Sequence, residues 1–199
     1  MKKIVLIAAV SLLAGCSIIN STKKPAPTVT PVDVPKTFKH DGKTYTLKMH
    51  KDLGSVARYI YFPKKETSQN WKSQIEVFVD RQEPAQTLAE RIALRNKVYK
   101  NLGVEHFNLT EKDNALYSFV IYAPNAQYND WQVNVAKGEN VAGCGFAQYQ
   151  YVMKVPKTKK LMNMGKVKLV GYLKKYVVDK EMAKLAVLNW QWSCKKAEL

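Results

Sequence analysis

The chain has 199 residues, and its 32 Lys and Arg against 16 Asp and Glu give a formal net charge of +16. A hydrophobic content of 46%, with eleven Tyr and four Trp, excludes a wholly disordered chain and allows one domain with a substantial core. The positive charge favours anionic partners and carries no information about the fold.

The first fifteen residues have the pattern of a secretory signal. Two lysines form a positive start, the ten residues from Ile4 to Leu13 form a run that is apolar except for Ser11, and two small residues follow. A membrane-spanning helix needs about 20 apolar residues, so this run is too short to span a bilayer. The order of the three regions predicts a cleaved signal peptide over residues 1–15.

Leu13-Ala14-Gly15-Cys16 resembles the lipobox of bacterial lipoproteins. The resemblance implies a diacylglycerol on the Cys16 thiol, cleavage just before it and acylation of the new amino group, which together hold a protein firmly at a membrane. An Asp after the cysteine would imply retention in the inner membrane. Ser17 stands there instead, so the resemblance favours an outer-membrane anchor, with the body facing the periplasm or the cell surface. The alternative is an ordinary signal peptide with a chance cysteine.

Assigning Cys16 to lipid leaves Cys144 and Cys194. Thiols tend to pair in an oxidising compartment, so we expect a disulfide between them. It would close a loop of about fifty residues and stabilise the fold by about 3–4 kcal/mol. The alternative is two free, buried cysteines.

Residues 17–36 contain four of the eight prolines among Ser, Thr, Lys and Val. This composition predicts an extended tether with a reach of up to roughly 60 Å. The lipidated cysteine and the tether thus form segment 16–36, and residues 37–199 form one globular domain. Removing residues 1–15 takes away two lysines and no acid, which leaves 30 basic and 16 acidic residues and a mature charge of +14.

Four strands are predicted in the first half of this domain, around residues 36–40, 43–50, 57–62 and 73–80. Asp41-Gly42 predicts a tight turn between the first two. In the second strand Tyr45, Leu47 and Met49 alternate with polar residues and are expected on one buried face. The fourth strand alternates apolar residues at 75, 77 and 79 with Glu76, Phe78 and Asp80.

The best predicted helix follows. Pro84 suits a first helical position, Thr87 and Glu90 form a possible capping box, and Gly103 can end the helix after Leu102. Spacings of three and four place one set of residues on a buried stripe and a set of basic residues largely off it. The stripe contains Ala85, Leu88, Ala89, Ile92, Tyr99 and Leu102, and the basic set contains Arg91, Arg95, Lys97 and Lys100.

Three strands are predicted next, over residues 116–123, 130–136 and 145–155, with Gly143-Cys144-Gly145 as a turn or bulge that sets up the disulfide. Residues 166–178 are predicted as helix, with strand as the alternative, and 179–192 as a helix capped by Asp179. This order predicts an α+β domain with a mostly antiparallel sheet, packed by one long central helix and a C-terminal helix. Such an arrangement is similar to the Mog1/PsbP sandwich.

No catalytic motif or phosphate-binding loop is present in the sequence, so we predict no catalytic residues, no cofactor and no metal site. The protein is therefore predicted to be a non-enzymatic binding or accessory module. The alternative is a cryptic envelope hydrolase with a site scattered through the fold. The nearest candidates for acid/base catalysis are two carboxylate pairs, Glu66 with Asp80 and Glu111 with Asp113. The nearest candidates for metal binding are His40 and His50.

Eight lysines and no acid lie between Asn140 and Val178. Lysine is a compact point charge suited to diffuse anionic surfaces, so this region is a candidate site for anionic lipid, lipopolysaccharide or an acidic protein, with a solvated face as the alternative. Extracellular nucleic-acid binding is a further alternative that requires a continuous basic groove. The loop at 61–72 adds a tryptophan that either binds or caps the core, and 125–131 is a similar polar and aromatic loop. The predicted binding residues are Trp71, Lys154, Lys157, Lys159, Lys160, Lys166 and Lys168.

Overall fold

The computed structural model describes residues 32–82, 85–126, 129–188 and 192–194. The predicted signal peptide, Cys16 and most of the predicted tether lie outside these residues. Val32 is fully buried and pairs with Cys194 through an isolated antiparallel bridge. The Asp33 amide donates to the Ser193 carbonyl at 2.7 Å. The last residues assigned to the tether therefore pack on the body.

Eight antiparallel strands form one sheet, in the spatial order β1-β2-β3-β4-β8-β7-β6-β5. Helices lie on both of its faces, so the fold is α+β with a mostly antiparallel sheet, as predicted. None of the described helices is both long and apolar enough to cross a membrane. The strands are β1 Thr37–His40, β2 Lys43–Asp52, β3 Val56–Pro63, β4 Ser73–Asp80, β5 His106–Lys112, β6 Ala115–Tyr122, β7 Gln132–Val141 and β8 Gly145–Lys154.

Two-residue turns with positive φ close two of the hairpins. Asp41 and Gly42 have φ of 48° and 70°, which confirms the predicted turn between β1 and β2. Asp113 and Asn114 close β5 onto β6 in the same way. Strand β5 was not predicted from the sequence, because Leu109 is its only buried residue and its other residues are largely polar.

The alternation predicted for residues 73–80 is confirmed. The apolar residues at 75, 77 and 79 have no exposed area and belong to one core with the C-terminal helices. These helices are α2 Lys159–Met162, α3 Lys166–Leu173 and α4 Asp179–Ala186, with a π-helical stretch from Lys174 to Val178 between the last two. Residues 166–178 are therefore helical, as predicted.

The predicted cap at Asp179 is wrong. Val178 before it has helical φ and ψ of −60° and −54°, and no side chain caps this position. The chain passes from the π-helical stretch into α4 without an interruption, so no new helix starts there. The helix also ends at Ala186, earlier than the predicted residue 192.

Helix α1, Leu88–Asn101, packs on the opposite face of the sheet. Its capping box is confirmed: the Glu90 amide donates to Thr87 Oγ1 at 3.2 Å, and the Thr87 amide donates to the Glu90 carboxylate at 2.9 Å. Gly103 has φ of 68° just after the helix end, as a terminating glycine should. The predicted start at Pro84 is wrong: residues 85–87 are not helical, and the helix begins at Leu88 after its cap at Thr87.

The predicted buried stripe of α1 is partly wrong. Arg91 is 5% exposed, donates to Asp80 Oδ2 at 2.6 Å, and places its guanidinium 4.1 Å from the centroid of the Phe146 ring. Leu102, which the stripe includes, is 72% exposed because it caps the helix end. A buried counter-charge and an aromatic ring from distant strands thus bring an arginine inward.

A bulge in β2 overturns one further prediction. Leu47 pairs with Tyr61 and Met49 pairs with Ile60, so Lys48 is an extra residue in this strand. A one-residue shift moves every following side chain to the other face. Met49 therefore lies on the face opposite to Tyr45 and Leu47 and is 47% exposed.

Gly143 and Gly145 flank Cys144 with φ of 78° and 90°, in the turn between β7 and β8. A Cβ on Gly145 would lie 2.2 Å from the Asp80 carbonyl oxygen, so this position requires glycine. Cys144 and Cys194 lie together at disulfide distance, with Cα atoms 5.8 Å apart. The turn thus places the first cysteine against the C-terminal segment.

Candidate functional site

One end of the sheet collects the loops that the sequence analysis singled out. Cross-strand pairing places Ser73 opposite Met153, and Gln132 opposite both Lys154 and Tyr122. The loops at 64–72 and 123–131 and the segment after β8 therefore leave the sheet at the same end. Three adjoining cavities lie there, which we call the lysine, apolar and amide cavities and, together, the end groove.

The lysine cavity has a volume of about 540 Å³. Lys154 Nζ lies 4.5 Å from the centroid of the Trp71 ring, within cation–π range. The Asp130 carboxylate forms a salt bridge with the Lys157 ammonium at 3.2 Å and lies 3.9 Å from the Lys154 ammonium. Lys72 lines the same cavity, so three lysines face one carboxylate and the cavity keeps a net positive charge.

The apolar cavity has a volume of about 300 Å³ and shares Val155, Pro156 and Lys157 with the lysine cavity. The indole that precedes β7 and side chains of α2 and α3 form most of it. Lys166 also lines it and pairs with Glu105 at 2.7 Å. Its apolar lining includes Trp131, Leu161, Met162, Met164 and Leu169.

The amide cavity has a volume of about 740 Å³ and shares Trp71 and Asp130 with the lysine cavity. Gln74, Gln132 and Asn134 line it from β4 and β7, on the sheet face away from the C-terminal helices. Gln132 Nε2 donates to Asn134 Oδ1 at 2.8 Å.

Two further polar groups line the amide cavity. Arg58 donates twice to Glu76, at 2.6 and 2.7 Å, and these bonds raise the pKa of the guanidinium. Burial raises the pKa of Tyr122 to about 12, so its phenol is a protonated hydrogen-bond donor at neutral pH. The cavity therefore offers fixed polar groups between apolar walls, a common composition for small-molecule sites.

A protein-family model matches residues 32–190. The chain belongs to that family. An uncharacterized protein of Haemophilus influenzae is 37% identical over 202 residues, which cover 98% of this chain and 100% of that protein. No solved structure matches the chain. The span shared with the family begins at Val32, where the described body also begins.

Four of the seven predicted binding residues line the end groove. Trp71, Lys154 and Lys157 meet in the lysine cavity, and Lys166 lines the apolar cavity. The other three lysines, at 159, 160 and 168, are exposed on α2 and α3 and line none of the three cavities. The exposed lysines are thus split between the groove and the outer surface of the helices.

The amide cavity and the role of Asp130 were not predicted from the sequence. Gln74 and Asn134 occupy the polar positions of strands that alternate, and such positions normally face solvent. In the structure these two side chains are 9% and 8% exposed. A polar residue in the middle of a central strand was the available signal, but it does not reveal which loops cover that face.

A second polar cluster is buried on the other face of the sheet. His40 Nε2 lies 2.9 Å from Glu181 Oε2, and His40 Nδ1 lies 3.0 Å from the Tyr149 hydroxyl. Lys184 Nζ donates to both Asp41 and Glu181 at 2.6 Å. Burial alone would raise the pKa of Glu181, but the hydrogen bonds from His40 and Lys184 outweigh burial and lower it.

This second cluster has the composition of a metal site but not its arrangement. Ligand atoms of His40, Asp41 and Glu181 lie within 4.8 Å of one another. The Lys184 ammonium already bridges the two carboxylates and supplies the positive charge that a metal would bring. None of the three cavities is lined by these residues, and the cluster ties β1 to α4. His50 does not join it, because its ring stacks on Tyr59 at 4.9 Å.

Proposed function

We propose that the protein is a lipid-anchored envelope module that binds an anionic amphiphile, such as lipopolysaccharide or an anionic lipid, in the end groove. The observation that carries the proposal is the lysine cavity, where Lys154 and Lys157 lie beside Trp71. Lysines attract phosphate and carboxylate groups without demanding one fixed geometry. This suits a ligand presented by a membrane or an envelope polymer.

The neighbouring apolar cavity supports an amphiphilic ligand. It shares Lys157 with the lysine cavity, so an anionic group and an attached hydrocarbon could occupy adjoining spaces. Met162 at its rim is 65% exposed, although burial of such a side chain is favourable. A ligand that covers this rim would remove apolar surface from water as well as pair charges.

The anchor and the finer fold belong to the same proposal. The lipobox at Leu13-Ala14-Gly15-Cys16 supports a lipid on Cys16 and a place at the outer membrane. An antiparallel sheet with α1 on one face and α3 and α4 on the other supports a Mog1/PsbP-like sandwich. In this proposal the lipid holds the body at the membrane, and the end groove recognises the ligand.

Binding of the unlipidated chain tests the proposal. All described strands and helices lie within residues 17–199, which we call the soluble body. Lys154→Gln with Lys157→Gln should weaken its binding to lipopolysaccharide or phosphatidylglycerol vesicles at least tenfold, and added salt should weaken the binding of the unmodified body. The matched control is Lys97→Gln with Lys100→Gln on the exposed side of α1. Equal binding by both double variants would refute the proposed site.

The anchor has its own test. Cys16→Ser in the full chain removes the thiol that would carry the diacylglycerol. We expect this variant to leave the membrane fraction, whereas a Ser17→Ala control should stay there. Unchanged fractionation of Cys16→Ser would contradict the anchor and leave the end groove to be judged separately.

A further inference from the structure

We infer that the headgroup bound in the end groove is a sugar that carries an anionic substituent. Its ring occupies the amide cavity beside Trp71, and its phosphate or carboxylate occupies the lysine cavity. The inference rests on the proposed function and names the chemistry of the ligand. It starts from an unpaired amide in the sheet.

Gln74 is 9% exposed and lines the amide cavity. Within the described parts of the chain, its side-chain amide has no hydrogen-bond partner. Buried amides in proteins are nearly always paired with protein groups or with water, so an amide that faces a cavity and has no protein partner is open to a ligand. A glutamine amide has two N–H donors and a carbonyl acceptor. Sugar hydroxyls both donate and accept hydrogen bonds, so they can pair with both ends of this amide.

In the described part of the chain, Asn134, on the other side of the cavity floor, is a second buried residue whose side-chain amide lacks a hydrogen-bond partner in part. It is 8% exposed, its Oδ1 accepts from Gln132, and its NH₂ has no partner among the described residues. Val152 pairs with Gln74 on one side and with Asn134 on the other. Two strand spacings of about 4.8 Å put the two amides about 10 Å apart. They can therefore hold hydroxyls at opposite edges of one sugar unit.

Trp71 connects the two halves of the ligand. It lines both the amide and the lysine cavities, and Lys154 lies 4.5 Å from the centroid of its ring. Aromatic side chains pack well on the apolar faces of rings while polar groups at the edge bond elsewhere. A sugar ring beside the indole therefore places its anionic substituent within reach of the lysines.

This arrangement predicts a specific preference. A phosphate on glycerol alone would pair with the ammonium groups of the lysine cavity and leave the amides of Gln74 and Asn134 without partners. Sites built to hydrogen-bond a hydroxyl strongly reject analogues that lack it. The groove should therefore prefer a sugar phosphate to both inorganic phosphate and the neutral sugar.

The test measures binding of glucosamine 6-phosphate, glucosamine and inorganic phosphate to the soluble body by tryptophan fluorescence. The sugar phosphate should bind at least tenfold more tightly than either component. Gln74→Met, which removes the amide at similar length, should lower that affinity at least tenfold. Gln150→Met is the matched control, because Gln150 lies on the same face, pairs with Glu76 and does not line the cavity. It should bind within twofold of the unmodified body.

The outcomes separate this inference from the proposed function. The sugar inference is wrong if the sugar phosphate binds no better than phosphate and Gln74→Met has no effect on binding. The proposed function still stands in that case if the lysine double variant loses its binding to lipopolysaccharide or vesicles. If glucosamine binds as well as its phosphate and the lysine variant changes nothing, the anionic proposal is wrong. A melting temperature of Gln74→Met at or above that of the unmodified body shows that lost binding is not lost folding.

Discussion

The amide of Gln74 offers the sharpest prediction, because its removal should change binding and leave stability nearly unchanged. Gln74→Met keeps the length of the side chain and removes its polar groups. Gln74 is 9% exposed, and its amide faces the amide cavity and forms with the described residues no hydrogen bond that the substitution would break. We therefore expect the free energy of unfolding of the soluble body to change by less than about 1 kcal/mol while affinity for the sugar phosphate falls at least tenfold.

Urea unfolding followed by far-ultraviolet circular dichroism measures this change. With a urea dependence of about 2 kcal/mol per molar, the midpoint should stay within roughly 0.5 M of that of the unmodified body at an unchanged slope. Gln150→Met, at a half-buried position, should change the stability by less than about 0.5 kcal/mol. A loss of about 1 kcal/mol or more in Gln74→Met would show that the amide is satisfied within the folded protein and would refute the reasoning.

Three further predictions concern stability. Replacing Cys144 and Cys194 together by Ala should lower the free energy of unfolding by about 3–4 kcal/mol, since their separation is 50 residues; urea midpoints equal to those of the oxidised protein would contradict this. Asp80→Asn alone should cost about 3–5 kcal/mol because it leaves buried Arg91 without its counter-charge, and adding Arg91→Met should recover much of that loss. No recovery in the double variant would argue against the pair. Lowering the pH from 6 to 3 should lower the free energy of unfolding, and this fall should be smaller in Lys184→Met. Parallel plots of the free energy of unfolding against pH for the two proteins would refute this.

The sign of the pH effect follows from two carboxyl groups. Burial alone would raise the pKa of Asp41 and Glu181, but hydrogen bonds from Lys184, and from His40 to Glu181, outweigh burial and lower both pKa values. Below about pH 5 the unfolded chain therefore binds more protons than the folded one, and stability falls with pH. Removing the lysine brings both pKa values closer to the ordinary values near 4 and reduces that dependence.

Sequence patterns predicted the elements whose cause is local. Alternation identified residues 73–80 and 145–155 as strands, and the Thr87–Glu90 pair identified the start of α1. Asp41-Gly42 and the glycines beside Cys144 identified two turns, because positive φ is a property of single residues. Each of these signals lies within ten residues of the structure that it predicts.

The remaining features depend on partners that are distant in sequence. Arg91 turns inward because of Asp80 and Phe146, and β2 is bulged at Lys48 because of its register with β3. The candidate site divides in the same way. Lysine density and Trp71 indicated the lysine cavity. The amides of Gln74 and Asn134, in contrast, line a cavity only because three loops that are distant in sequence lie beside them.

The most direct test of the end groove uses the indole N–H signals of the soluble body labelled with ¹⁵N, titrated with deacylated, phosphorylated lipopolysaccharide. Trp71 and Trp131 line the groove, whereas Trp192 lies near the bridge between Val32 and Cys194, at the other end of the sheet. We predict that the Trp71 signal shifts with a salt-sensitive dissociation constant and that the Trp192 signal does not move. A titration in which the Trp71 signal stays in place would contradict binding of an anionic envelope component in this groove.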